Sequence, residues 1–225
     1  MTYSHFMARN ERKVSRPLTE TKRELIVAAA MPLFAEQGYH AARMDDLAAT
    51  LDIAKGSIFQ HFGSKGGLFL EVYKKAARSL PAYLEVPTEV RHLGFFEILY
   101  YWLTRTEHLV REDWIPYRIC LLGNYGTDLT LKREINRFLV LEDPYGRVAF
   151  IQFGLERGEL RKDLDIETVI SFVDGMVERF QDALLVEELD PGLFRRSGAS
   201  IEKKEASLAQ FMDLLRRAIG VEPKT

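Results

Sequence analysis

The chain has 225 residues, of which 47% are apolar and 28% charged, and its formal net charge is −2. This composition supports one large or two packed folded domains and excludes a disordered chain. The single cysteine, Cys120, excludes an intrachain disulfide framework and a CxxC metal or redox site. No run of about 18 apolar residues could span a membrane, and the first residues lack a signal peptide's apolar core. We therefore expect a cytoplasmic protein with no membrane partner.

Charge is distributed unevenly along the chain. Residues 1–80 hold 12 Lys and Arg against 8 Asp and Glu, whereas the remainder holds 19 against 25. A basic amino-terminal part favours contact with phosphate, and an acidic remainder disfavours it. Residues 1–18 are polar and basic, which predicts either a frayed terminus or a flexible arm that reaches DNA.

The first predicted helix begins at Thr21 and runs to Gln37. Thr21 and Glu24 have the spacing of a capping box, in which each side chain binds a free amide at the helix start. Pro32 lies in the interior of this helix, where it either kinks the helix or removes one hydrogen bond. Gly38 supplies a left-handed stop.

Two short amphipathic segments follow, Met44–Thr50 and Lys55–Phe62, joined by residues 51–54. Two short helices across such a turn are typical of a helix-turn-helix, whose second helix lies in the major groove of DNA. An ordinary pair of packed helices is the alternative. On the second segment Ile58 and Phe62 share one face and should be buried, which leaves the other face outward.

The run LIVAAAMPLFAEQGYHAARMDDLAATLDIAKGSIFQHFGSKGGLFLEVY strongly resembles the DNA-binding domain of TetR-type transcriptional regulators. The AxxLFAEQGY and KGSIFQHFGSK segments and the spacing between them carry this resemblance, which covers about residues 19 to 75. The chain departs from the family pattern at Arg43 and Ala54, where the family usually has hydroxyl caps. It departs again at Gly66 and Gly67, where helix-favouring acids are usual. We expect these two glycines to loosen the start of the fourth helix.

The predicted DNA contacts lie on the second segment and at its flanks. Lys55 should bind phosphate, and Gly56 should allow the backbone to approach DNA closely. Phe59 can touch a thymine methyl group, and Gln60 can pair with adenine. The predicted DNA-binding residues are Arg43, Met44, Lys55, Gly56, Ser57, Phe59, Gln60, His61 and Lys65.

The rest of the chain also reads as helical, which predicts an all-α protein. A three-helix helix-turn-helix domain at residues 19–80 should be followed by a larger ligand-binding and dimerisation domain at 81–225, after a linker marked by Pro81 and Pro87. Apolar residues at helical spacing predict helices near 95–103, 114–123, 129–157, 166–184 and 208–219. Pro144 and Gly146 should bend the third of these.

The resemblance implies a mainly apolar small-molecule effector bound among these helices, although most of the aromatic residues there could simply form core. The candidate ligand-binding residues are Trp102, Trp114, Tyr117, Arg118, Asn124, Phe153, Phe172, Met176 and Arg179. It also implies a homodimer on palindromic operator DNA, held by the last two helices. The candidate interface residues are Val173, Val177, Phe180, Leu208, Phe211 and Leu215, which could instead close the core of the monomer.

Catalytic signatures are absent from the sequence. There is no GxxxxGK[ST], GxGxxG, HExxH or GxSxG, and the five histidines show no metal-ligand spacing with one another or with Cys120. We therefore expect no enzyme activity, no cofactor and no metal. The resemblance implies a ligand-responsive repressor, in which ligand displaces the fourth helix and releases DNA. The runner-up is an all-helical enzyme or carrier with a hydrophobic pocket.

Overall fold

The computed structural model describes residues 21–80, 92–192 and 200–221. Within these ranges the chain forms ten α-helices and no strand beyond an isolated antiparallel bridge between Leu160 and Gly220. The predicted all-α class is confirmed. The helices are α1 (Lys22–Ala41), α2 (Met44–Thr50), α3 (Lys55–Phe62), α4 (Lys65–Ser79), α5 (Phe95–Glu112), α6 (Trp114–Tyr125), α7 (Leu129–Glu142), α8 (Arg147–Glu156), α9 (Ile166–Leu185) and α10 (Ile201–Ile219).

The chain divides into two compact units, one up to Val72 and the other from Tyr73 onward. The division falls inside α4, so this continuous helix begins in the first unit and ends in the second. The predicted arm at 1–18 and the predicted linker at Pro81 and Pro87 lie outside the described residues. No helix in the described ranges is both long and apolar enough to cross a bilayer.

The first unit is built on α1. Its capping box is present, since the Thr21 hydroxyl accepts from the Glu24 amide and the Glu24 carboxylate accepts from the Thr21 amide. The helix continues through Pro32 and departs from helical backbone at Gly38, with φ 77°. Phe34 is fully buried and meets Phe69 of α4 edge-on, with 5.1 Å between ring centroids. This contact anchors the start of α4 to α1.

The start of α4 gives Gly67 a steric role that the sequence did not reveal. The Ser64 hydroxyl caps the helix by accepting from the Gly67 amide at 3.0 Å. A Cβ atom at Gly67 would lie 2.1 Å from the carbonyl oxygen of Phe62, whereas one at Gly66 would lie 3.4 Å from the Tyr39 hydroxyl. The interpretation of both glycines as loosening residues is therefore incomplete, because only glycine fits position 67 without a shift of the backbone.

The second unit surrounds a core made by α5, α8, α9 and α10. Phe95, Leu99 and Leu103 line up on the inner face of α5 and are almost completely buried. Phe180 of α9 stacks on Phe211 of α10, with ring centroids 4.0 Å apart and an angle of 15° between the planes. Both aromatic contacts and aliphatic burial therefore hold the last two helices against α5 within a single chain.

The predicted helix over 129–157 is broken rather than bent. α7 ends at Glu142, and Asp143 adopts the left-handed conformation with φ 38°. The Asp143 carboxylate then accepts the amides of Arg147 and Val148, each at 3.0 Å, at the start of α8. Pro144 and Gly146 lie in the turn, as expected, but one helix ends there and a separate helix begins, instead of a single helix that bends.

Candidate nucleic-acid interface and ligand cavity

The helix-turn-helix predicted from spacing is present with the predicted bounds. α2 and α3 are joined by a tight turn in which the Ile53 amide donates to the Ala48 carbonyl at 3.0 Å and Asp52 has φ 51°. Ile58 is completely buried and fixes α3 to the unit, as predicted. Phe62 is half-buried, because its ring lies under the guanidinium of Arg23 instead of deep in the core.

Most of the predicted DNA-binding residues share the outward side of this motif. Arg43, Lys55, Gly56, Gln60 and His61 are exposed, and a Cβ atom at Gly56 would meet no heavy atom within 4 Å. A further three predicted residues are half-buried: Ser57, Phe59 and Lys65.

Met44 is the exception among the predicted DNA contacts. Its side chain is 5% exposed and packs inside the first unit, because it begins the apolar stripe of α2 that also contains Leu47. The assignment of the Met44 side chain to DNA is therefore corrected, and only its main chain remains for such a contact. Neither Arg43 nor Ala54, at the starts of α2 and α3, makes a side-chain cap.

Two of the predicted DNA-binding residues, Lys55 and Lys65, have partners within the protein. The Lys55 ammonium forms an ion pair with Asp45 at 2.9 Å, and this hydrogen bond keeps the pKa of the Asp45 carboxyl below its ordinary value. The Lys65 ammonium donates to the His40 carbonyl at 2.9 Å and lies over the Tyr39 ring. Lys65 therefore ties the end of α1 to the start of α4, and Lys55 would have to share its charge between Asp45 and a phosphate.

Arg23 supports the recognition helix and was missed by the sequence analysis. Its guanidinium donates to the His61 carbonyl at 2.8 Å, pairs with Glu71 at 3.2 Å and lies 4.6 Å from the centre of the Phe62 ring. These contacts hold the last turn of α3 between α1 and α4. Because Arg23 and His61 are 38 positions apart, no local pattern in the sequence indicates the contact.

The second unit contains a partly open cavity of about 490 Å³, the size of a small-molecule site. Its wall contains three of the predicted ligand-binding residues, Trp102, Tyr117 and Asn124. Tyr73 of α4 and Leu80, which follows α4, also belong to it. A small molecule in this cavity would therefore touch the end of the helix that begins in the first unit.

Six predicted ligand-binding residues lie outside the cavity wall. Phe172 and Met176 are 39% and 45% exposed, because they lie on the outer face of α9 while Val173 and Val177 point inward. Phe153 packs in the core, and Phe150, one turn earlier on α8, lines the cavity in its place. Trp114 and Arg179 are exposed and Arg118 is half-buried, and all three lie outside the wall.

The cavity wall also carries a row of acids that the sequence analysis did not identify. Asp174, Glu178 and Asp182 follow one another at four-residue spacing on α9, which puts them on one face. Asp182 is 2% exposed and accepts from the hydroxyls of Tyr117 at 2.5 Å and Tyr125 at 2.7 Å. The available signal was the four-residue spacing itself, since these acids follow one another on the same side of α9.

Burial sets the ionisation of several groups around the cavity. It raises the pKa of Asp174 and Glu178, and the neighbouring Asp182 carboxylate adds to the effect on Glu178. Burial and the neighbouring Asp182 carboxylate both raise the pKa of Tyr117. Burial also raises the pKa of the Cys120 thiol to about 12. Cys120 lines the cavity, and its sulfur lies 3.7 Å from the Tyr145 hydroxyl.

The residues predicted to form the dimer interface instead lie in the core of one chain. Four of the six are less than 9% exposed, and the remaining two are partly buried against them; the set is Val173, Val177, Phe180, Leu208, Phe211 and Leu215. These stripes therefore pack in the core of the monomer, which is the alternative that the spacing left open. Their assignment to a dimer interface stays a prediction, and it could hold only for the partly buried Val177 and Phe211.

An exposed recognition helix on one unit and a partly open cavity in the other define a helix-turn-helix protein with a separate helical ligand-binding unit. Residues 26–72 match the model of the bacterial regulatory proteins of the tetR family. This segment holds α2 and α3, so residues 26–72 form a DNA-binding domain of the TetR type, and the chain is similar to transcriptional regulators of that family.

Relatives support this assignment over much of the chain. The HTH-type transcriptional repressor AcnR of Corynebacterium diphtheriae is 28% identical over 168 residues, which cover 74% of this chain and 83% of that protein. The HTH-type transcriptional activator FasR of Mycolicibacterium smegmatis is 37% identical over 71 residues, 32% of each chain. A solved tetR family transcription regulator from Shewanella sp. PV-4 shares the fold, with a TM-score of 0.63 and 19% identity across 90% of this chain and 100% of its own.

Proposed function

We propose that this protein is a ligand-responsive repressor that binds a palindromic operator as a homodimer and leaves it when a small molecule fills the cavity. The observation that carries the proposal is that α4 belongs to both the DNA-binding unit and the unit that contains the cavity. This helix starts beside the recognition helix, and Tyr73 in it and Leu80 just after it line the cavity. The resemblance to the repressor AcnR over most of both chains favours repression over activation.

DNA recognition is assigned to the exposed side of α3. Lys55 would bind a phosphate, with Arg43 as a second phosphate ligand at the start of α2. Gly56 has open space around it, so the backbone of α3 can approach the DNA. The neighbouring Ser57, Phe59, Gln60 and His61 would read base edges in the major groove.

Dimerisation is assigned to the outward faces of α9 and α10. Phe172 and Met176 on α9 and Leu214 on α10 are 39%, 45% and 66% exposed. Each lies beside the buried stripe of its helix, at the edge that faces solvent. Large exposed apolar side chains on neighbouring helices commonly mark a protein interface. A twofold dimer would place two recognition helices against successive major grooves.

Release of DNA requires that the ligand bind the two conformations of the protein with different affinities. A ligand in the cavity touches Tyr73 directly, so it can favour one position of α4 over another. A coupling free energy of about 1–3 kcal/mol changes operator affinity roughly 5- to 150-fold, which suffices for regulation.

A mobility-shift titration tests DNA binding. The probe is the DNA upstream of the protein's own coding region, where such regulators commonly act on their own transcription. Lys55→Ala should weaken binding to all sequences and reduce its dependence on salt, whereas Gln60→Ala should relax the preference for one base pair. Lys162→Ala is the matched control, because Lys162 is an exposed lysine of the second unit.

Two results would contradict the assignment. If Lys55→Ala and Gln60→Ala both bound a mapped operator as tightly as the unmodified protein, α3 would not be the recognition helix. If the unmodified protein showed no salt-sensitive binding to its upstream DNA or to genomic fragments selected for affinity, the proposed function would be wrong.

A further inference from the structure

The charge of the cavity wall restricts the chemistry of the ligand. Asp174, Glu178 and Asp182 form a row on α9, and Asp113 adds a fourth acidic residue to the wall. Arg147 is the basic residue among the described side chains that line the cavity. The wall therefore carries more negative than positive groups, while much of its remaining surface is aromatic or aliphatic.

Arg147 is fully engaged by the protein. Its guanidinium donates to the Asp143 carboxylate at 3.0 Å, to Asp174 at 2.5 Å and to the Leu139 carbonyl at 2.6 Å. An anionic ligand would have to displace one of these bonds and leave a carboxylate unpaired in a half-buried place, which is costly. A carboxylate or phosphate head group therefore has no ready partner in the wall.

Glu178 and Asp182 are held by neutral donors. Asn124 donates to Glu178, and the hydroxyls of Tyr117 and Tyr125 donate to Asp182. Neither carboxylate has a basic side chain within ion-pair distance among the residues that the structure describes. Glu178 is exposed at the cavity wall, and desolvation nevertheless raises its pKa against the opposing charges of Lys132 and Arg147. A positive charge in the cavity would compensate the Glu178 carboxylate further.

The remaining wall suits an organic cation better than a metal ion. In the described ranges, no three His, Cys, Asp or Glu side chains are grouped closely enough to hold a metal. Trp102, Tyr117 and Phe150 present aromatic rings to the cavity, and such rings attract ammonium groups through cation–π contacts. The indole Nε1 of Trp102 is buried and has no hydrogen-bond partner in the described structure.

We infer that the cavity binds an amphiphilic organic cation, a quaternary or protonated amine on an apolar body, with its head beside Glu178 and Asp182. An oxygen atom along the apolar body would satisfy the Trp102 indole. This inference rests on the proposed function, because it takes the cavity to be the effector site, and it adds the charge of the effector.

Three probes of equal chain length test the inference: octyltrimethylammonium, octan-1-ol and octanoate. Binding is measured by calorimetry and by the fluorescence of Trp102 in a Trp114→Phe variant, since the chain contains two tryptophans. The cation should bind about tenfold more tightly than the alcohol and still more tightly than the carboxylate. Equal binding of all three probes, or no saturable binding of the cation, would overturn the inference.

Glu178→Gln tests the position of the head group. Glutamine keeps the size of the side chain and an acceptor for Asn124 but removes the charge, so the preference for the cation should fall to within about threefold. Glu167→Gln, which changes an exposed acid on the same helix, should leave the preference unchanged. An unchanged preference in Glu178→Gln would place the cation elsewhere. If this variant does not fold, the comparison of the three probes on the unmodified protein decides.

Operator release separates this inference from the proposed function. If octan-1-ol or octanoate binds as well as the cation and releases the operator, the regulatory function stands and the cationic class is wrong. If the cation binds selectively but operator affinity does not change, the ligand class stands and the release mechanism is wrong.

Discussion

At the scale of single residues, two aspartates take the left-handed conformation, and they do so for different reasons. Asp143 has φ 38° and uses its carboxylate to accept the first amides of α8. Asp52 has φ 51° in the turn between α2 and α3, is exposed, and makes no hydrogen bond from its side chain to the described residues. The conformation is therefore compensated at Asp143 and uncompensated at Asp52.

Asp52→Gly should stabilise the first unit. Glycine adopts positive φ without a steric penalty, so the free energy of unfolding should rise by about 0.5–1 kcal/mol, after allowing for the greater freedom of glycine in the unfolded chain. Thermal unfolding followed by circular dichroism measures the change. Asp52→Ala removes the same charge but keeps a Cβ atom, so it should give no gain. Equal stabilisation by both variants would assign the effect to charge instead of backbone conformation.

At the scale of helices, the sequence predicted where elements begin and end better than which way they face. α2 and α3 have the predicted bounds, because apolar residues at helical spacing end at a short turn in both cases. α9 was misassigned, because Phe172, Val173, Met176 and Val177 are all apolar and cover more than one face. Spacing alone cannot show which of these faces meets the core, since that depends on α5, α8 and α10, which are distant in the sequence.

The start of α4 offers a second test at this scale. Gly67→Ala should lower the free energy of unfolding by about 1–3 kcal/mol, because its Cβ atom would lie 2.1 Å from the Phe62 carbonyl oxygen and must push the end of α3 aside. Operator affinity should fall with it. Gly66→Ala should be neutral or stabilising by up to about 1 kcal/mol, since the nearest atom lies 3.4 Å away. If both variants behaved alike in thermal unfolding, the steric role of Gly67 would be wrong.

At the scale of the whole molecule, the same two helices serve the core with one face and, in the proposal, a second copy with the other. Phe180 and Phe211 stack inside the chain, whereas Met176 and Leu214 lie outside. The chemistry of the cavity was also beyond the sequence. Asp182 and Tyr117 are 65 positions apart, and only the fold brings their side chains within 2.5 Å.

A charged substitution on the outward face of α9 and α10 should break the dimer, whereas one on their inward face should unfold the second unit. Met176→Glu with Leu214→Glu should yield a folded monomer that binds the operator weakly, because two recognition helices are no longer held together. Sedimentation velocity reports the mass, and circular dichroism reports helix content. Phe211→Glu should instead unfold the second unit, since it introduces an uncompensated charge into the core. An intact dimer in the outward double variant would move the interface to another surface.

The reactivity of the single thiol in the cavity wall, Cys120, reports how often this wall is open to solvent. Cys120 is 6% exposed, and burial raises its pKa to about 12 from an ordinary value of 9.0, so thiolate at pH 8 is on the order of a thousandfold scarcer than in the unfolded chain. Alkylation of the native protein by iodoacetamide should then proceed at a rate set by the fraction of molecules in which the wall is open. An occupant that holds the wall closed, such as octyltrimethylammonium, should lower that rate, and mass spectrometry of the modified fraction over hours measures it.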